Sequence, residues 1–173
     1  MTQQELPTIH LRAMEPEDLD ALYRIENDPQ LWGVGATNVP YSRYTLHDYI
    51  ANSAGDIYTD RQVRLIIENE KHEVIGILDL MNFDPRHRRA ELGIVIQRPY
   101  RSKGYARAAV VQLHAYAAQV LHIHQLYVII DATNRHTIDI FIDLGYQQSA
   151  TLTDWLFDGT SYTDGVVLQH MLL

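Results

Sequence analysis

Hydrophobic positions change their period several times along the chain, and each change marks an element. Ile9, Leu11 and Ala13 alternate with His10, Arg12 and Met14, the period-two pattern of a short first strand. Pro16 then stands where a first-turn proline belongs, with Glu17, Asp18 and Asp20 near the positive end of a helix. Leu19, Leu22, Tyr23 and Ile25 continue that helix until Asn27-Asp28-Pro29 stops it. Leu31 to Tyr44 reads as irregular and carries Gly33, Gly35 and Pro40; a second helix is predicted from about Ser42 to Ser53. After Gly55 the pattern turns to strands, with an antiparallel hairpin over Val63–Glu68 and Val74–Leu80, and a further strand over Ala90–Gln97.

From Gly104 to Leu121 the apolar set Ala106, Ala109, Val110, Leu113, Tyr116, Ala117, Val120 and Leu121 forms one face at 3.6-residue spacing, the strongest helix in the chain. Leu126–Ile130 is an almost wholly apolar run, expected of a strand covered on both faces. Asn134–Asp143 reads as a helix ended by Gly145 in the left-handed conformation. Tyr146–Phe157, the turn Asp158-Gly159 and Tyr162–Leu172 predict a closing hairpin. The order predicts one domain over residues 1–173, an α/β (α+β mixed) fold built on a mixed sheet with flanking helices.

Composition narrows the function classes. The chain has 173 residues, 14 Lys and Arg against 22 Asp and Glu, and a formal net charge of −8. That balance argues against a nucleic-acid or anionic-membrane partner and favours a cationic one. The absence of cysteine removes disulfides, thiolate metal sites and a cysteine nucleophile. Met1–Pro7 lacks the apolar segment of a signal peptide, and no apolar run approaches the roughly 20 residues that span a bilayer, so the expectation is a cytoplasmic protein. His122-x-His124 has no carboxylate or cysteine partner near it, so no metal site is expected. Arg86-His87-Arg88-Arg89 reads as a solvated turn.

The stretch Leu92–Arg107, LGIVIQRPYRSKGYAR, carries the chemistry. A strand runs into Arg101-Ser102-Lys103-Gly104-Tyr105-Ala106 and a long helix begins at once, which aims unpaired N–H groups and the positive helix end at one point. Gly104 permits close approach of a ligand, while Arg101, Lys103 and Arg107 add charge suited to a diphosphate. Neither a Walker loop nor a dinucleotide fingerprint is present. By itself this describes a phosphorylated-cofactor site on a mixed sheet.

Arg101-x-x-Gly104-x-Ala106 resembles the Gln/Arg-x-x-Gly-x-Gly/Ala motif of the GNAT acyl-CoA N-acetyltransferases. The order of elements, His87–Leu92 before the strand, Pro99–Gly104 after it, and Asn134 ahead of Leu144-Gly145-Tyr146 are similar to the branch with spermidine and ribosomal-protein N-acetyltransferases. The resemblance implies a mostly antiparallel sheet with a V-shaped split between two strands. It implies acetyl-CoA as co-substrate, its arm on the backbone of Ile94, Val95 and Ile96, its diphosphate on the amides of Arg101, Ser102, Lys103, Gly104, Tyr105, Ala106 and Arg107, and contact with Asn134. It also implies acetyl transfer to a primary amine by direct attack in a ternary complex. Acceptors rank as a polyamine or diamine, then a protein N-terminal amine, then an amino sugar or antibiotic; a homodimer or higher homo-oligomer is expected.

Glu91 is the first candidate for the base, its other reading being a strand-end carboxylate paired with Arg88 or Arg89; Asp79 is a weaker candidate, expected to be exposed. Where relatives place an acidic tyrosine, this chain has Phe141, so that role is vacant or moved to Tyr146, Tyr127 or water. Asn82 replaces a possible polyamine-binding acid. Glu26, Asp28, Asp48, Asp56 and Asp60 flank a carboxylate-free stretch from Leu31 to Tyr41. Trp32, Tyr41 and Tyr44 are candidates to wall an acceptor pocket or to join the core, and Tyr162 and Asp164 either line the acceptor side or pair strands. A non-catalytic acyl-CoA-binding module is the rival reading, because Phe141 cannot donate a proton.

Overall fold

The computed structural model describes residues 5–31 and 39–172. Seven strands form one sheet in the order β1-β2-β3-β4-β5-β7-β6, with β1 Ile9–Ala13, β2 Val63–Asn69, β3 Val74–Asp84, β4 Arg89–Ile96, β5 Gln125–Asp131, β6 Gln147–Phe157 and β7 Tyr162–Met171. Every neighbouring pair is antiparallel except β4 and β5. The helices are α1 Leu19–Glu26, α2 Arg43–Ala51, α3 Ile57–Asp60, α4 Tyr105–Gln119 and α5 Arg135–Asp143. The mixed sheet expected from the hydrophobic pattern is therefore present, closing hairpin included.

Side-chain alternation divides the sheet into two faces. On one, Leu78, Leu80, Ala90, Leu92, Leu126, Val128 and Leu168 pack against Ala109, Val110, Leu113 and Ala117 of α4 and against Ile138 and Phe141 of α5. The small α4 residues let that helix lie close to the strands, which suits the alanine-rich stripe of its sequence. On the other face Leu22 and Ile25 of α1 and Leu46 of α2 cover Ile66 and Ile77. Among the described residues, helices cover this second face over the β1–β4 half.

Four sequence expectations are corrected. The strand expected to stop at Leu80 runs to Asp84, because a bulge between Met81 and Asp84 lets it continue past an irregularity. The short helix α3 stands where only strands were expected; Asp56 caps it by accepting the Tyr58 N–H at 3.1 Å. β5 is not covered on both faces: Leu126, Val128 and Ile130 are buried, while Tyr127 and Ile129 face a half-open cleft beyond the reach of α1 and α2. Asp79, expected to be exposed, keeps only 15% of its side-chain surface and is held by Arg64. The stretch with Trp32, Gly33 and Gly35 lies outside the described residues.

Gly145 behaves as its sequence context requires. Its φ of +91° ends α5, its N–H donates to the Ile142 carbonyl at 2.9 Å, and the Tyr146 N–H donates to the Phe141 carbonyl at 3.0 Å.

Candidate active site

The parallel pairing of β4 with β5 lasts three rungs, Arg89 with Gln125, Ala90 with Leu126 and Glu91 with Tyr127, and then stops although both strands continue. The two strands therefore diverge from Glu91 onward and leave a V-shaped split. Its polarity follows from the β3–β4 register. The Gln97 N–H donates to the Ile75 carbonyl at 2.8 Å, so residues opposite one another at Val95, Gly93 and Glu91 also exchange main-chain bonds with β3. The alternate residues Leu92, Ile94 and Ile96 turn their N–H and C=O groups to the split. Of the three strand residues expected there, Ile94 and Ile96 face it, whereas the Val95 backbone faces β3 and its side chain joins the α1–α2 core.

At the open end of the split the chain passes through a 3-10 turn, Arg98–Tyr100, and enters α4. None of the N–H groups of Ser102 to Arg107 donates to an acceptor among the described residues, while the Arg101 N–H is used by the Arg98 carbonyl. Six donors thus point outward together with the positive end of a 15-residue helix. Gly104 makes the turn with φ +84°, and a Cβ there would stand 3.2 Å from Pro7 Cδ. A groove of about 960 Å³ begins at these amides, passes Ile94 and Ile96, and is bounded across the gap by Thr137, Ile140 and Phe141 of α5.

The basic side chains of the motif are anchored. Arg101 donates from Nε to the Ile96 carbonyl at 2.8 Å, Lys103 donates to the Pro99 carbonyl at 2.8 Å, and Arg107 pairs with Asp143 at 2.6 Å. They hold the loop in place, and the main-chain amides from Ser102 to Arg107 are left facing the groove. Asn134 caps α5, its Oδ1 accepting the Thr137 N–H at 3.2 Å.

Glu91 lies at the vertex of the split, on the face opposite the groove. Neither expected arginine partner reaches it: Arg88 donates to the His122 carbonyl and Arg89 to Asp84. Its carboxylate instead accepts from Asn82 Nδ2 at 2.7 Å. Tyr127 is its neighbour on β5; burial first, and the Glu91 charge second, push that hydroxyl above its ordinary value. Nearby, Arg64 grips Asp79 through two bonds of 2.7 and 2.8 Å and also reaches Glu26. Burial opposes the Arg64 charge, yet these carboxylates outweigh it and hold the guanidinium above its usual value.

Tyr146 is buried, does not line the groove, and shares a 3.0 Å hydrogen bond with His114 Nε2. Phe141 meets the Tyr146 ring edge-on at 4.9 Å and occupies the groove side. Tyr44 is 80% exposed, and Tyr41 is pinned through its main chain to the Asn27 side chain. Tyr162 meets the Phe157 ring at a tilt, 4.8 Å away, and Asp164 accepts the Asp154 N–H at 2.9 Å, contacts that join β6 to β7. Among the described residues no group of three or more His, Asp or Glu side chains is arranged to hold a metal ion. No helix among the described residues is long and apolar enough to cross a membrane.

The His114–Tyr146 contact carries a pH prediction. Burial, then the charge of the stacked His170 ring 4.5 Å away, lower the His114 value from 6.5 to about 4. The unfolded chain takes up a proton near pH 6.5 that native His114 refuses until about pH 4, so stability is lost as pH falls through that window. Urea titrations of His114→Gln should show a flatter decline over this range; an unchanged slope assigns the decline to other groups.

A diverging parallel strand pair and an amide-rich helix start meet along one groove. Residues 8–147 match the acetyltransferase (GNAT) domain model, and the chain belongs to that family of acetyltransferases. It is 28% identical to the spermidine N(1)-acetyltransferase of Escherichia coli K12 over 97% of this chain and 91% of the relative. It is 23% identical to that of Vibrio cholerae over 89% and 87%. Among solved structures, the Vibrio cholerae spermidine N-acetyltransferase in complex with CoA and spermine superposes with a TM-score of 0.84 at 22% identity, covering 95% of each chain. A dodecameric form of that enzyme superposes at 0.80, with 23% identity, over 95% of this chain and 94% of the other.

Recognition of the motif from Arg101 to Ala106 thus led to the groove. What sequence reasoning missed is Asn82 as the Glu91 partner, because only the bulge brings the two together.

Proposed function

We propose that the chain, as one domain, transfers the acetyl group of acetyl-CoA to a primary amine by direct attack in a ternary complex, with a polyamine or diamine as the preferred acceptor. The carrying observation is the run of unengaged amides from Ser102 to Arg107 at the mouth of the β4–β5 split. Those amides would hold the diphosphate, and the Ile94 and Ile96 backbones would pair with the pantetheine arm as an added strand does. A main-chain N–H of β4 facing the split would stabilise the developing oxyanion.

An alkylamine has a pKa near 10.4 in water and must lose a proton before attack. Glu91, free of any ion pair among the described residues, accepts that proton directly or through water. The amine nitrogen bonds to the thioester carbon, the intermediate collapses, and the C–S bond breaks. Phe141 has no proton to give the departing thiolate, so water relays to it the second proton that the amine nitrogen sheds as the amide forms. Relatives named as spermidine acetyltransferases and the net charge of −8 support the acceptor class. The carboxylates near α1 and α2 are locally engaged: Glu26 by Arg64, Asp28 by Arg98, and Asp48 by Asn52. A homo-oligomer is proposed by analogy with the dodecameric neighbour, with Trp155 and Phe157 giving β6 an exposed apolar edge.

The test is release of free thiol from acetyl-CoA across spermidine, putrescine, an N-terminal peptide and an aminoglycoside. The reading expects turnover with an amine, fastest for the polyamines and rising with pH. Tight CoA binding without turnover on any amine would instead establish the binding module that Phe141 allows. Gly104→Val is expected to weaken CoA about tenfold in either case, since holding a branched residue at positive φ costs roughly 1–2 kcal/mol that binding must supply. Calorimetry showing unchanged affinity would place the diphosphate elsewhere.

A further inference from the structure

We infer that Asn82 is a positioning residue for the Glu91 carboxylate, presented by the bulge in β3; the inference rests on Glu91 being the proton acceptor proposed above. Register between β3 and β4 is regular up to Met81 opposite Glu91 and resumes at Asp84 opposite Arg89. Between them Asn82 adopts φ +50°, a left-handed conformation that asparagine tolerates better than most residues. Bulges of this kind re-aim a side chain out of the regular alternation. Here the re-aimed amide donates from Nδ2 to Glu91 Oε2 at 2.7 Å, at the last rung before β4 and β5 part.

One carboxylate oxygen is thereby fixed from β3, which leaves the other oxygen for the acceptor amine or its water. Fixing it matters because proton abstraction depends on geometry before basicity. Other groups around Glu91 do not duplicate this role. Across the sheet Tyr127 flanks it from β5, on its own strand Arg89 is spent on Asp84, and the nearest charges on β2 and β3, Arg64 and Asp79, satisfy each other.

The experiment compares wild type with Asn82→Gly, which keeps the left-handed backbone and removes the donor, and with Asn82→Asp, which keeps the shape and replaces the donor with a second charge. For Asn82→Gly, kcat should fall about tenfold, as expected for loss of a bond to a charged group, with KM for acetyl-CoA unchanged. For Asn82→Asp, repulsion between two adjacent carboxylates should lower kcat further still. In the Glu91→Gln background, Asn82→Gly should cost nothing more. An unchanged rate in Asn82→Gly, while Glu91→Gln is slow, would overturn the positioning role and leave the base assignment standing. A fully active Glu91→Gln enzyme would overturn both, which separates the two failures. CoA affinity reports whether each variant is folded.

Discussion

Replacing Glu91 by Gln should lower kcat for amine acetylation about 10²- to 10³-fold at neutral pH, within the range of a positioned general base. The substitution is nearly isosteric. Its carbonyl oxygen can still accept from Asn82 Nδ2, and the strand pairing of Glu91 with Met81 and Tyr127 involves only main chain. The groove on the opposite face, with its free amides, is untouched, so KM for acetyl-CoA should stay as it is. The deficit should also depend on pH in a particular direction. As the solution approaches pH 10.4 the amine deprotonates without help, and the variant should converge on the wild-type rate. Steady-state rates from pH 6 to 10 test both parts. An equal rate at pH 7 would show that some other group, or solvent alone, takes the proton.

Arg64→Met is the second large effect, and it falls on stability. Arg64 bonds Asp79 through both of its oxygens, reaches Glu26, and lies 5.5 Å over the Tyr49 ring, with only 18% of its side chain exposed. Three elements, α1, β2 and β3, are tied at this point. Methionine fills much of the volume but strands two carboxylates in a half-buried site. Breaking a buried pair from one side costs several kcal/mol, and partial exposure puts this one at about 3 kcal/mol. For a chain of this size that is a fall of roughly 6–12 °C in Tm. Calorimetric scans should show that shift, and Arg64→Met combined with Asp79→Leu should lose less than Arg64→Met alone. A Tm within 2 °C of wild type would mean the cluster contributes little. Asp79 stands opposite Gly93 of β4, so the network adjoins the strand that carries Glu91.

How much of this was legible in the sequence depended on the range of the interactions. The strand–turn–helix at Arg101–Arg107 was readable because its cause is local: an alternating strand, one glycine and a long alanine-rich helix are contiguous, and amides at a helix start follow from connectivity alone. The sheet order followed in outline from alternation and turn residues. By contrast α3 is a single turn, shorter than the period that reveals a helix. The bulge at Asn82 depends on a backbone conformation that hydrophobic alternation does not encode. The Glu26–Arg64–Asp79 network joins residues 15 and 38 positions apart, and an Asp in a strand looks the same whether solvated or gripped by an arginine. The apolar run of β5 misled for a related reason: it reports side-chain type, while the opening of its second face is set by where α1 and α2 end.

The most direct measurement is a crystal structure of the protein with CoA. The account predicts the pyrophosphate oxygens within hydrogen-bond distance of main-chain N–H groups between Ser102 and Arg107, with the pantetheine arm running along Ile94 toward the point where β4 leaves β5. Nucleotide seated on any other surface, with those amides still facing solvent, would contradict it.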